Sequence, residues 1–140
     1  MEQSATLPDS EPYHIPVMFR QTIQMLVSNP HGTFVDGTLG GGGHTAGILE
    51  SLAPEGRVLA FDADPGAIAN AAKRFATVSP ERLIVRHAYF SEACAMLRQQ
   101  GLTIDGVLLD LGVSSRQLDS GQIGLSYRQT MPLDMRFRPS

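Results

Sequence analysis

The stretch Thr33-Phe-Val-Asp-Gly-Thr-Leu-Gly-Gly-Gly-Gly-His-Thr45 decides how this chain is read. Thr33, Phe34 and Val35 make a short strand that delivers an acid, Asp36, into a turn holding Gly37, Gly40, Gly41, Gly42 and Gly43, and a helix-compatible segment starts just beyond. Such glycines let a ligand approach the backbone closely. The first turn of the following helix offers N–H groups with no partner inside the helix, which suit a carboxylate as well as a phosphate. A dinucleotide-binding loop normally reads G-x-G-x-x-G without an acid at its mouth. Asp36 would repel a pyrophosphate but accept a hydrogen bond from an ammonium. A ligand carrying both an ammonium and a carboxylate is therefore expected, and S-adenosylmethionine (SAM) is such a cofactor. The competing reading is a tight turn rich in glycine for steric reasons alone.

Outward from this motif the chain alternates. Pro16 to Val27 has no internal breaker and reads as a leading helix that stops at Ser28-Asn29-Pro30. A helix from Thr45 to Leu52 ends at Pro54 and Gly56, and Arg57 to Phe61 follows as a strand apolar on both faces, as in a parallel sheet covered by helices. Asp64 is placed to cap the next helix, Pro65 to Phe75, with Pro65 at its first position. Arg82 to Arg86 is a third strand, Glu92 to Gln100 a helix and Ile104 to Asp110 a fourth strand. This order predicts an α/β fold, an open parallel sheet of Rossmann-like type between helix layers. The expected strand order is 3-2-1-4, with Asp36 and Asp110 at the ends of adjacent strands.

Ligands of such sheets lie beyond the carboxyl ends of the strands. Asp62 ends the second strand, where a ribose hydroxyl pair is usually held; its alternative role is a solvated cap acid. Phe90, after the third strand, is a candidate for an adenine face or for plain core packing. Asp110 empties an acid into the cleft from the fourth strand. His44 closes the glycine loop and would donate either to the ligand or to a loop carbonyl. The four histidines are scattered and no metal-ligand spacing is present, so no metal is expected.

Composition bounds the rest. A chain of 140 residues, 42% hydrophobic and 18% charged, is one globular domain with a core. No run of about 18 apolar residues is available to cross a bilayer. Residues 1–12, ending Pro8-Asp-Ser-Glu-Pro12, read as a loose tail and not as a signal peptide. The single cysteine, Cys94, forbids an internal disulfide and points to a reducing, cytoplasmic location. The net charge of -3 does not advertise a nucleic-acid binder, although Arg116, Arg128, Arg136 and Arg138 gather near the end.

Six strings carry a more specific resemblance: His14-Ile-Pro-Val17, Asp36 to His44, Phe61-Asp-Ala-Asp-Pro65, Asp105-Gly-Val-Leu-Leu-Asp-Leu-Gly-Val-Ser-Ser115, Gln117-Leu-Asp119 and Pro132-Leu-Asp-Met-Arg136. From residue 14 onward the chain resembles the N-terminal part of the RsmH/MraW family. These are SAM-dependent methyltransferases that modify the exocyclic N4 of a cytidine in the decoding region of 16S rRNA. The resemblance implies a cofactor held by Gly42, Gly43, His44, Asp62, Phe90, Asp110 and Gln117. By its position Asp110 is the first candidate for the proton acceptor from N4, its alternative role being to orient the cofactor; Asp134 is the second candidate, its alternative role a structural pairing with Arg136. The family pattern is broken at Arg116, where a proline is usual, and at Ile123, where an arginine is usual. Family members are longer, so the resemblance implies that residues 13–140 are a truncated methyltransferase domain, stopping before a helical substrate domain and the last strands. Two expectations follow: a methyltransferase acting on the small ribosomal subunit, or a SAM-binding module with little activity of its own. The sheet edge left exposed would be covered by a partner such as a second copy in a homodimer.

Overall fold

A computed structural model of the chain describes residues 18–112. The tail of residues 1–12, the His14 to Val17 string, Arg116, Gln117, Ile123 and Asp134 lie outside the described residues. The elements are α1 (Phe19–Leu26), β1 (Thr33–Asp36), α2 (Gly43–Ser51), β2 (Arg57–Asp62), α3 (Pro65–Arg74), β3 (Leu83–His87), α4 (Phe90–Gln100) and β4 (Gly106–Leu108). All pairings are parallel and the order is β3-β2-β1-β4, as the strand-end acids predicted.

Side chains alternate across a strand, so an apolar strand can feed two cores. Phe34, Val58, Ala60 and Leu83 join Ile23 of α1, Ile48 and Leu49 of α2 and Ala71 of α3 on one face. Val35, Leu59 and Phe61, one residue out of phase, pack with Ala93 of α4 on the other. The sheet is thus sandwiched between helices, and the middle of β1 and β2 is closed to water.

Local chemistry sets the boundaries. Asp64 caps α3 by accepting from the Gly66 N–H at 2.8 Å, with Pro65 at the start of the helix. At the amino end of the sheet, Asp105 accepts from the Thr33 N–H at 2.8 Å and from Asn29 Nδ2 at 3.2 Å, which ties the entry of β4 to that of β1. These bonds hold the Asp105 carboxyl below its ordinary value. β4 is an edge strand among the described residues, and Val107, Leu109 and Leu111 around it are exposed. No helix among the described residues is long and apolar enough to cross a membrane.

Candidate cofactor-binding site

Parallel strands place every β-to-α turn at one end, and the glycine loop lies there. Its path is held by neighbours. Leu39 N–H donates to the Phe61 carbonyl at 3.0 Å and Gly40 N–H donates to Asp62 Oδ2 at 2.7 Å. Arg74 Nη1 donates to the Gly41 carbonyl at 2.7 Å. Gly42, the residue before α2, has φ 83°, a left-handed conformation costly for any residue with a Cβ. A Cβ there would also stand 2.9 Å from Phe75 Cε2. At Gly37 a Cβ would meet Leu109 Cδ2 at 2.5 Å and Phe90 Cδ2 at 2.6 Å, so the first turn residue must be glycine to let β4 and α4 close over it.

Asp62 is half-buried at the end of β2. Its Oδ1 accepts from the Asp64 N–H at 2.8 Å while Oδ2 holds Gly40, and burial pushes the carboxyl above its ordinary value against these bonds. A carboxylate oxygen accepts more than one hydrogen bond, so both oxygens keep capacity for a ligand. Asp110, just past β4, is exposed. Phe90 opens α4, half-buried, with one edge over Gly37. His44, in the first turn of α2, has a buried side chain stacked near Phe19 at a centroid distance of 5.6 Å. Its Nδ1 faces Asp110 Oδ2 at 3.8 Å, and its buried Nε2 has no hydrogen-bond partner among the described residues. Burying a polar nitrogen without a partner costs free energy.

Asp36 stands differently from the sequence expectation of an acid facing a ligand ammonium. It is 0% exposed. Its Oδ2 accepts the Thr45 hydroxyl at 2.6 Å and its Oδ1 the Thr38 N–H at 3.1 Å. Burial pushes this carboxyl up, although both bonds favour its ionised form. In this conformation Asp36 frames the loop from beneath and has no surface to offer a ligand. The side-chain orientation follows from α2 packing on the face of β1 that carries Phe34 and Asp36, which one strand's sequence does not reveal.

Gly42, Gly43, His44, Asp62, Phe90 and Asp110 are therefore gathered at the carboxyl end of the sheet. Thr38 and Thr45 were missed by sequence reasoning. The Asp36-Gly-Thr38 spacing, in which an acid bonds the N–H two residues on, was the available signal for Thr38. Among the described residues no group of three His, Cys, Asp or Glu side chains is assembled to hold a metal.

Comparison with known proteins agrees with the residue-level resemblance. Residues 11–140 match the sequence model of the MraW methylase family. Ribosomal RNA small subunit methyltransferase H of Heliobacterium modesticaldum is 46% identical over 129 residues, covering 91% of this chain and 41% of that protein. The protein of the same name from Methylibium petroleiphilum is 45% identical over 128 residues, covering 91% and 40%. The chain thus spans about two-fifths of the length of these curated relatives. The crystal structure of an rRNA methylase from Streptococcus thermophilus has the same fold at a TM-score of 0.53, with 21% identity over 69% of this chain and 53% of that one. By sequence along nearly its whole length, this chain belongs to the MraW methylase family.

Proposed function

We propose that the carboxyl end of this sheet holds SAM, and that the chain is the cofactor-binding part of a cytoplasmic enzyme methylating the N4 of a cytidine in 16S rRNA within the small ribosomal subunit. The observation that carries the proposal is the convergence there of the glycine loop with the carboxylates of Asp62 and Asp110, the latter 3.8 Å from the His44 imidazole. These residues fit the group. Asp62 would accept from the ribose hydroxyls, Gly42, Gly43 and His44 would face the amino-acid end, and Phe90 would lie against the adenine. Gln117 is assigned by family resemblance.

SAM, when bound, supplies an electrophilic methyl group on a sulfonium. The protein's own task is alignment and proton management. Cytidine N4 is a poor nucleophile because its lone pair is delocalised into the ring. An acceptor placed on the amino group helps it rehybridise and then takes its proton. Asp110 is an exposed carboxylate at the lip of the cleft and is assigned that role, with Asp134 as the second candidate.

A SAM-binding module with little turnover is the second reading of this chain. It is favoured by the net charge of -3 and by Lys73 being the only lysine, since phosphate contacts need cationic side chains. The test incubates methyl-labelled SAM and small ribosomal subunits with this chain and with a form extended by the region its relatives carry beyond the matched span. Label on cytidine N4 with either form is the expected result. Label only with the extended form assigns the module reading to this chain, and no label with either overturns the proposal.

A further inference from the structure

Asp36, Thr38 and Thr45 join the two groups flanking the cleft by a path that returns to its starting residue. The backbone N–H of Asp110 donates to Thr38 Oγ1 at 2.6 Å. Thr38 N–H donates to Asp36 Oδ1, and Asp36 Oδ2 accepts from the Thr45 hydroxyl. Thr45 follows His44, whose Nδ1 faces the Asp110 carboxylate. The sheet itself does not hold Asp110: the last β1–β4 pair is Asp36 with Leu108, and the last backbone bond runs from Gly37 N–H to the Leu108 carbonyl at 2.9 Å. Beyond that point the Thr38 hydroxyl takes over. A buried carboxylate costs more than an apolar side chain of similar volume, so stability alone is a weak reason for Asp36. A carboxyl bonded through both oxygens, at 3.1 and 2.6 Å, fixes the direction of both partners.

We infer that Thr38 and Asp36 are positioning residues, which set the placement of the Asp110 carboxylate relative to the His44 imidazole. Asp36 and Thr45 are both 0% exposed, so their influence passes through neighbours, while Thr38 is half-buried and acts through the bond its hydroxyl accepts from the Asp110 N–H. The consequence for methyl transfer rests on the SAM site proposed above, but the coupling between His44 and Asp110 does not.

The test therefore reads the two separately. In the free protein, nitrogen NMR of the His44 ring is recorded with and without Asp110→Asn, in the parent, in Thr38→Ser and in Thr38→Val. The substitution at Asp110 should move the His44 signals in the parent and in Thr38→Ser, which keeps the hydroxyl, and barely move them in Thr38→Val. SAM titration of the same proteins should show a loss on the order of tenfold for Thr38→Val, the size of one lost hydrogen bond, and recovery in Thr38→Ser. Should Thr38→Val not fold, Thr38→Ala takes its place. An equal response to Asp110→Asn with and without the hydroxyl overturns the inference. Failure of the parent to bind SAM overturns the cofactor reading instead and leaves the NMR comparison standing.

Discussion

The Nδ1 of His44 and the Oδ2 of Asp110 stand 3.8 Å apart, one side chain almost wholly buried and the other 60% exposed. That separation is too long for a hydrogen bond. Neither group is used up by the other, so both remain available to a third partner between the glycine loop and β4.

Asp62→Ala should weaken SAM binding by roughly 2–4 kcal/mol, because charge-assisted bonds to two hydroxyls contribute about 1.5–3 kcal/mol each and do not add fully. Calorimetric titration measures it. Unchanged affinity would return Asp62 to holding Gly40 and Asp64 alone.

Gly42→Ala and Gly101→Ala both put a side chain on a left-handed residue, with φ 83° and 61°. Nothing lies within 4 Å of a Cβ at Gly101, whereas Phe75 blocks one at Gly42. Urea unfolding should give a loss of about 1–2 kcal/mol for Gly101→Ala, the backbone cost alone. Gly42→Ala should lose a further ~1–3 kcal/mol for the overpacked ring. Equal losses would mean that Phe75 yields freely.

Asp36 and Asp105 should give opposite pH trends. Burial raises Asp36 above its ordinary 3.8 in the folded state, so the folded protein binds that proton more tightly than the unfolded chain, and its contribution to stability falls as pH rises from about 3.8 through the raised value. Asp105 is lowered by its bond from Thr33, so its contribution is present above 3.8 and lost as pH falls through the lowered value. Relative to the parent, Asp36→Asn should therefore gain ground as pH increases through its window, and Asp105→Asn should gain ground as pH decreases through its own. Denaturant midpoints across acid to neutral pH decide it; parallel trends would contradict the assignment.

Arg82 holds the turn after α2 through Nη2 to the carbonyls of Leu49 at 3.2 Å and Ala53 at 3.3 Å, and Nε to that of Gly56 at 3.4 Å. A lysine cannot reproduce that fork. Arg82→Lys should cost about 1–3 kcal/mol of stability, read by thermal unfolding, with SAM affinity unaltered because the turn lies at the far end of α2 from the site.

How far the sequence could be read depends on the range of the interactions involved. Asp64-Pro65 carries its own cap, so the start of α3 was visible at once. The parallel order followed from which strand ends carry acids. α4 begins at Phe90, ahead of the expected Glu92, because the Glu92 carboxylate reaches back to the Tyr89 N–H at 2.6 Å and draws the preceding turn into the helix. β4 is shorter than expected, Gly106–Leu108 against Ile104 to Asp110, because its neighbour β1 has only four residues to pair with. The orientation of Asp36 was not legible for a different reason. Whether a strand-end acid faces water or the interior is decided by the next helix, whose Thr45 hydroxyl it accepts, and only the fold brings the two together.

The three-residue strand β4, at the edge of the sheet among the described residues, has a consequence in time. β1, β2 and β3 come from one continuous stretch and can pair as it collapses, while β4 has to return from the far end of that stretch to the side of β1. Non-local pairings must bear their loop-closure entropy before their contacts stabilise them. The half of the cleft that carries Asp110 is then expected to pair later than β1–β3, and a ligand spanning from Asp62 to Asp110 would act as a clasp on it by mass action. Occupancy of the cleft would be recorded in how slowly the amide protons of β4 exchange with solvent.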